Sequence, residues 1–300
     1  MICFIILLVI VDKYGDNNCF INVKMKLSIS IKWGVKMTAK IVTFGISKGG
    51  CSKSVSSGVT SYLLSKEERV LAIDMDGQGN LTSFLTNEYD ICNVFEEKTI
   101  LEAIQDKDVR KYIIKISENL DLVPSNDFLA TLPRMMYRQG IKFDALQVAL
   151  EPVMEDYDWI IIDTPPALSE HTVMPLSTYS KAGSFAVVMF DGSMFAYYAI
   201  PKFLEIIEAS KERYNPSLKT AGILFSLIDS RAKENEVMEE SIEEEYPGLR
   251  FQTIIKRKAA TRRLAISGFE ENPELTNALE YYIPFVEELK KRAKQEQPQG

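Results

Sequence analysis

A short segment from Ser47 to Ser54 combines glycines, lysines and small hydroxyl residues between an apolar run and a helical one. Glycines let successive backbone N–H groups point towards one anion, and the N-terminus of the following helix adds positive potential there. The segment therefore predicts a phosphate-binding loop in which Lys53 reaches the terminal phosphates and the Ser54 hydroxyl holds Mg²⁺. The sequence reads KGGxxK[ST], with Lys48 as a second lysine, and it departs from the general GxxxxGK[ST] pattern.

Two apolar runs further along the chain end in aspartates. One leads into Asp74-Met75-Asp76, and the other, Trp159 to Ile162, leads into Asp163. A carboxylate at the tip of a buried strand is unfavourable unless a cation or a satisfied hydrogen-bond network meets it. We therefore expect Asp163 to bind Mg²⁺ through water beside the phosphate loop.

Taken together, these segments resemble the deviant Walker ATPases of the ParA/MinD superfamily, and ParA in particular. The resemblance extends from about Lys40 to Arg292. It rests on three groups of residues: Lys48-Gly49-Gly50 with Lys53-Ser54, Asp74-Met75-Asp76 with Gln78-Gly79-Asn80, and Ile162-Asp163-Thr164-Pro165-Pro166.

The resemblance implies that ATP and Mg²⁺ are the cofactors, with Ser54 and Asp163 on the metal side. It also implies an ATP-dependent sandwich dimer in which Lys48 reaches the partner's nucleotide, while Asp76 positions or activates the attacking water. By this resemblance, Lys48 and Asp76 are the expected catalytic residues. The assignment agrees with the dependence of phosphoryl transfer on charge neutralisation and water placement. The expected nucleotide-binding residues are Lys48, Gly49, Gly50, Cys51, Ser52, Lys53 and Ser54.

Two positions depart from the pattern usual in this family. Ser52 stands where glycine is usual, and Gly77 stands where proline is usual. A side chain at position 52 is expected to hinder close approach of the backbone to phosphate, and a glycine at position 77 to loosen the strand end that carries Asp76. These departures favour nucleotide binding with slow hydrolysis.

The segment from Lys256 to Arg263 places five cations within eight residues of an acidic protein. Such a local concentration is typical of a surface that binds phosphate backbones, although a solvated segment that balances Glu239 to Glu245 would have the same composition. The resemblance to ParA favours non-specific DNA binding. The expected contacts are Arg231, Lys256, Arg257, Lys258, Arg262 and Arg263.

The same resemblance implies a role in plasmid or chromosome partition, in the cytoplasm and associated with the nucleoid. We find no helix-turn-helix candidate before Ile41. Sequence-specific recognition is therefore expected to come from a ParB-like or other centromere-binding partner.

The order of elements predicts how these residues are positioned. Seven short apolar runs alternate with helical stretches, and most of the runs are continuously hydrophobic, as in a parallel sheet covered on both faces. Alternation of this kind predicts an α/β fold with a doubly wound, mostly parallel sheet. Ligands bind such sheets at the carboxyl ends of the strands, where the motifs fall.

Composition limits the remaining possibilities. The chain is 46% hydrophobic and 26% charged, with a net charge of −7, which is typical of a globular protein without a generally basic surface. Its four cysteines form no CxxC pair, so neither a zinc site nor an iron–sulfur carrier is indicated. We expect a non-domain extension at 1–36 with Met37 as a possible true start, an ATPase domain at 37–294 and a flexible tail at 295–300.

Two alternatives remain open from the sequence. The first is a MinD-like positioning ATPase that cycles on a membrane, although the spacing of Tyr282, Phe285 and Leu289 favours a terminal helix packed on the core, which makes a membrane partner unlikely. The second is a nucleotide-gated switch that dimerises with ATP and hydrolyses little of it.

Overall fold

The computed structural model describes residues 38–46, 48–50, 52–228, 234–269 and 272–295. Predictions for the 1–36 extension, for the end of the tail, and for Cys51 and Arg231 lie outside these residues.

An eight-stranded sheet forms the centre of the described chain, in the order β3-β4-β2-β5-β1-β6-β7-β8. All neighbouring strands are parallel except β3 and β4, which pair antiparallel at one edge. The prediction of a doubly wound, mostly parallel sheet is therefore confirmed. The strands are β1 (Lys40–Gly45), β2 (Val70–Asp74), β3 (Ile114–Lys115), β4 (Leu120–Val123), β5 (Trp159–Asp163), β6 (Ser184–Phe190), β7 (Leu218–Ile228) and β8 (Arg250–Lys256).

Helices connect the strands. They are α1 (Lys53–Leu64), α2 (Asn80–Thr86), α3 (Ile91–Val94), α4 (Ile100–Asp106), α5 (Leu132–Gln139), α6 (Ala145–Leu150), α7 (Glu170–Leu176), α8 (Met194–Tyr197), α9 (Ile200–Arg213), α10 (Glu234–Glu245), α11 (Ala259–Ser267), α12 (Leu275–Leu279) and α13 (Tyr282–Gln295).

Alternate residues of the central strands pack into two separate hydrophobic clusters. On β2, Val70 and Ala72 belong to one cluster, while Leu71 and Ile73 belong to the other. The first cluster contains residues of α1, α2 and α13, and the second contains residues of α4, α6 and α7. Helices thus cover both faces of the sheet, which is why its strands are hydrophobic along their whole length.

Three helical stretches of the chain are interrupted, and each contains a proline. Pro152, Pro201 and Pro284 lie inside them, after the helical residues Leu150, Tyr197 and Leu279 respectively. Proline lacks the N–H that would bond to the carbonyl four residues earlier, and its ring clashes with that carbonyl. The chain therefore ends one helix and starts another, or forms turns, at these positions.

Candidate phosphate site and basic surface

The carboxyl ends of β1, β2 and β5 meet at a cleft of about 420 Å³. Because β1 lies between β5 and β6, and β5 lies between β1 and β2, segments that are distant in sequence become neighbours there. The predicted site residues that line the cleft are Gly49, Gly50, Ser52, Lys53, Ser54 and Asp76. The structure also places Asn80, Tyr89 and Pro166 in its wall.

Lys53 is the first residue of α1 and is almost fully buried, with 7% of its surface exposed. Its ammonium donates a hydrogen bond of 3.1 Å to the backbone carbonyl of Lys48. This contact closes the loop around the helix N-terminus, where backbone N–H groups lack intrahelical partners. A helix N-terminus with a buried lysine beside it is suited chemically to binding a phosphate.

Lys48 points towards a different element. Its ammonium forms an ion pair with the carboxylate of Asp191 and donates a hydrogen bond of 2.7 Å to Ser193 Oγ. Burial alone would raise the pKa of Asp191, but hydrogen bonds from Lys48 and Ser193 outweigh it and lower that pKa. The second lysine is therefore held within its own protomer.

Asp191 and Ser193 were not identified from the sequence. A signal was present, since Asp191 directly follows the apolar strand β6 just as Asp163 ends β5, and Ser193 caps α8 by accepting a hydrogen bond from Ala196 N. Only the position of β6 beside β1 brings this acid to the phosphate loop.

Asp163 is fully buried at the end of β5, directly below the loop. One carboxylate oxygen accepts a 3.3 Å hydrogen bond from Ser57, whereas the other has no hydrogen-bond partner among the described residues. Burial and the nearby charge of Asp74 raise the pKa of Asp163, while the hydroxyl of Ser54 and the charge of Lys53 lower it. A buried carboxylate oxygen without a partner, beside the Ser54 hydroxyl, fits a bound Mg²⁺ or one of its waters.

Asp74 holds the segment that carries Asp76. Its carboxylate accepts hydrogen bonds from the backbone N–H of Asp76 at 3.1 Å and from the N–H and hydroxyl of Thr82, both at 2.8 Å. Burial raises the pKa of Asp74 to about 7, although these hydrogen bonds act in the opposite direction. Asp74 is thus a positioning residue that aims the cleft-lining Asp76.

The two departures from the family pattern have different structural consequences. Ser52 adopts a left-handed conformation, with φ 50° and ψ 32°, which glycine reaches without strain and a residue with a Cβ reaches at a cost of about 1–2 kcal/mol. Around Gly77, the nearest atoms to an added Cβ are 3.7 Å away, which is ordinary contact distance. The backbone strain therefore falls on Ser52 and not on Gly77.

The predicted basic segment spans the end of β8 and the helix α11. Lys256, Arg257, Arg262 and Arg263 are exposed, and Lys258 is partly buried. Arg257 remains close to β7, because its Nε donates a 3.4 Å hydrogen bond to the carbonyl of Leu227. These five cations thus lie between the end of β8 and the first half of α11, and Arg257 lies next to the end of β7.

Two of the five cations are paired within the chain. Arg263 donates two hydrogen bonds of 2.6 Å to Glu274. Lys258 forms an ion pair with Glu280 and donates a hydrogen bond of 2.6 Å to Asn277 Oδ1. The acids come from either end of α12, and not from the Glu239 to Glu245 segment that composition suggested. In that segment, Glu239 and Glu243 pair instead with Arg250.

The phosphate loop at the start of α1, the acid ending β5 and the doubly wound sheet define a P-loop NTPase of the deviant Walker type. A sequence profile of the AAA domain family matches residues 39–220. The chain is 29% identical over 227 residues to the chromosome partitioning protein ParA of Myxococcus xanthus, covering 75% of this chain and 77% of that one. It is 28% identical over 221 residues to the sporulation initiation inhibitor protein Soj of Bacillus subtilis, covering 73% and 84%.

Among solved structures, a plasmid partition protein of Borrelia burgdorferi bound to AMPPNP superposes with a TM-score of 0.68, covering 86% of this chain and 99% of that one. Its sequence identity is 24%. The chain belongs to the AAA domain family. Together with its relatives, this match identifies it as a ParA-family partition ATPase of the ParA/MinD superfamily.

Proposed function

We propose that this chain hydrolyses ATP slowly, forms an ATP-dependent homodimer and binds duplex DNA without sequence preference during partition of a plasmid or chromosome. The observation that carries this proposal is the cleft lined by Lys53, Ser54 and Asp76, with the buried carboxylate of Asp163 close to Ser54 and Lys53. The proposed ATPase domain spans residues 37–294.

ATP is the proposed substrate and Mg²⁺ its cofactor. Lys53 would neutralise the terminal phosphates, and the backbone N–H groups at the start of α1 would bind their oxygens. Ser54 and Asp163 would hold Mg²⁺, which would neutralise charge that develops on the phosphate oxygens. Asp76, aimed by Asp74, would orient the attacking water.

The proposed dimer rests on the resemblance to ParA, and the pairing of Lys48 is compatible with it. In the protomer, Lys48 is paired with Asp191 and turned to the rim of the phosphate loop. An incoming triphosphate offers a larger negative charge, so it competes with Asp191 for this ammonium. In the proposed dimer, Lys48 contacts the nucleotide of the second protomer, which makes dimerisation depend on ATP.

The proposed DNA contact is the surface formed by Lys256, Arg257, Lys258, Arg262 and Arg263, with Arg231 as a further candidate outside the described residues. One such surface is small, and a protomer with net charge −7 is repelled by DNA at long range. A dimer presents two surfaces, so ATP binding and DNA binding are linked.

A ParB-like or other centromere-binding protein is the proposed stimulating partner, and the nucleoid is the proposed location.

The decisive experiment is ATP hydrolysis by the full chain, measured with and without duplex DNA. We expect slow Mg²⁺-dependent release of phosphate that DNA increases, and Asp76→Ala should abolish turnover while ATP binding and DNA binding remain. Gly77→Ala serves as a matched control, because position 77 has space for a methyl group. Loss of ATP binding in Asp76→Ala would contradict the proposed role of this carboxylate.

A second candidate function is a nucleotide-gated switch with little hydrolysis. The strained backbone of Ser52 inside the phosphate loop favours it. ATP-dependent dimerisation without measurable turnover, with or without DNA, would support the switch over the ATPase.

The structure gives less support to the MinD-like, membrane-cycling alternative. Phe285, Val286 and Leu289 of α13 are buried against the domain, so the apolar face of this helix is occupied. Within the described ranges, no helix combines the length and hydrophobicity needed to cross a bilayer. Co-sedimentation with anionic lipid vesicles in the presence of ATP tests this alternative.

A further inference from the structure

Three aromatic rings form a contact between the two helices that start at the phosphate cleft and the basic helix α11. Phe269 stacks on Tyr62 of α1, with ring centroids 4.1 Å apart and an interplanar angle of 12°. The same ring meets Phe84 of α2 edge to face at 5.2 Å. The edge-to-face geometry is one that aromatic pairs favour, and the stacked ring is in close contact with Tyr62.

The helices α1 and α2 touch each other as well as Phe269. A Cβ added to Gly58 of α1 would lie 2.4 Å from Phe84 Cδ1, so the absence of a side chain at position 58 permits this close approach. Phe84 also lines the phosphate cleft. A shift of α2 relative to α1 would therefore move the surface on which Phe269 rests.

Both helices begin at the cleft that is proposed to bind nucleotide. Helix α1 starts at Lys53, and α2 starts at Asn80, which follows the Asp76 turn. The turn and α2 are joined by two hydrogen bonds to Asp74 from Thr82 and by one from Gly79 N to the Asp76 carbonyl at 2.9 Å. Displacement of Asp76 would thus carry α2 with it as one unit.

Phe269 lies at the other end of this connection. It follows Gly268, the residue that ends α11, and α11 carries Arg262 and Arg263. The ring therefore anchors the C-terminal end of the basic helix to α1 and α2, while the N-terminal end is held through Lys258 and Glu280.

We propose that Phe269 is a positioning residue that couples nucleotide binding to the placement of the basic helix α11. This inference rests on the proposed nucleotide site and DNA surface, and it adds the residue through which the first controls the second. Packed side chains between rigid elements can transmit such coupling when both sites bias the same arrangement. Here α1 and α2 would take one relative position with nucleotide and another without it. Phe269, which contacts both helices, would shift with them and move the end of α11.

Hydrogen exchange of the full chain, with and without a non-hydrolysable ATP analogue and Mg²⁺, tests this coupling. In wild type, we expect the analogue to slow exchange in α1 and also in α11, by at least about five-fold in each. In Phe269→Leu, which keeps an apolar side chain, α1 should still be protected, whereas the change in α11 should be lost. Phe269→Tyr keeps the ring and should restore it.

Tyr137→Leu is the matched control, because it removes an aromatic ring that is 92% exposed on α5. The ratio of DNA affinities with ATP analogue and with ADP should fall towards one in Phe269→Leu and stay at the wild-type value in Tyr137→Leu. Protection of α11 that persists in Phe269→Leu would overturn the coupling and leave the nucleotide site intact. Absence of protection in wild-type α1 and α11 would overturn the nucleotide site and the coupling together.

Discussion

The phosphate cleft and the basic surface use charge in contrasting ways. In the cleft, Lys53, Asp74 and Asp163 are buried, and most of their polar atoms have hydrogen-bond partners within the fold. On the basic surface, Arg262 and Arg263 are exposed, and the pair between Arg263 and Glu274 is open to solvent. Buried charges act strongly over short distances, whereas exposed ones are screened and act mainly in numbers.

Because of this contrast, removal of a single charged side chain should have a larger effect in the cleft than on the basic surface. Removal of one group from the cleft leaves an opposite charge or a polar atom buried, which is costly. Removal of one arginine from α11 subtracts one of several phosphate contacts. Each prediction below tests one side of the comparison, in order of decreasing expected effect.

The largest effect is expected for Lys53→Ala. Loss of a buried ammonium that faces phosphate should reduce ATP affinity by about 2–5 kcal/mol, or roughly 30- to 5000-fold. Lys48→Ala is the matched control, since it should retain some binding yet lose ATP-dependent dimerisation. Isothermal titration and sedimentation with an ATP analogue measure the two properties, and a normal dimer in Lys48→Ala would contradict the proposed dimer.

Stability without nucleotide or Mg²⁺ should depend on pH through the buried carboxyls. The pKa of Asp74 is raised from 3.8 to about 7, so between these values the folded state binds more protons than the unfolded state. The free energy of unfolding should therefore be highest near pH 4 and fall as the pH rises to 7, by at most about 4 kcal/mol from this group. Asp163, whose pKa is also raised, acts in the same direction.

Urea unfolding at a series of pH values measures this slope, and Asp74→Asn should flatten it. Asp191 and Glu288 have lowered pKa values, so their contributions are lost only as the pH falls below their ordinary range. Their contributions therefore grow with pH only up to about pH 5 and do not oppose the effect between pH 5 and 7. Stability that increases across this window would show that the cleft stabilises charged carboxylates even without a cation.

Two adjacent arginines of α11, Arg262 and Arg263, test the contribution of exposed charges. Arg262 forms no ion pair with any described residue, whereas Arg263 is already bound to Glu274. A dimer has two copies of Arg262, one in each α11 helix. If both copies contact phosphate, Arg262→Ala should reduce the slope of log affinity against log salt by about 2 units. Arg263→Ala should change it less, and equal slopes for Arg262→Ala and wild type would mean that α11 is only a solvated face.

The smallest effect is expected for Ser52→Gly. It relieves the left-handed strain and removes a buried hydroxyl that lacks a hydrogen-bond partner among the described residues, so stability should rise by about 1 kcal/mol. Thermal unfolding measures the gain, and ATP hydrolysis should stay constant or increase. A loss of nucleotide binding would show that the Ser52 side chain itself contributes to the site.

Much of the cleft could be predicted because its residues belong to short motifs that are continuous in the sequence. A glycine-rich loop before a helix, and an aspartate after an apolar run, specify backbone conformation within a few residues of themselves. The seven predicted strands were correct for the same reason, since each is a nearly continuous apolar run. The two-residue strand β3 was missed, because an edge strand of that length has no hydrophobic pattern to detect.

The loop, the strands and the family could be predicted from the sequence alone, because each is encoded in short segments of neighbouring residues. The pairing of Lys48 with Asp191, 143 positions away, depended on the folded molecule. So did the neutralisation of Arg263 by Glu274 and the meeting of Tyr62, Phe84 and Phe269. Such partners are chosen by strand order and by the packing of helices across the sheet, which bring distant side chains within reach of each other.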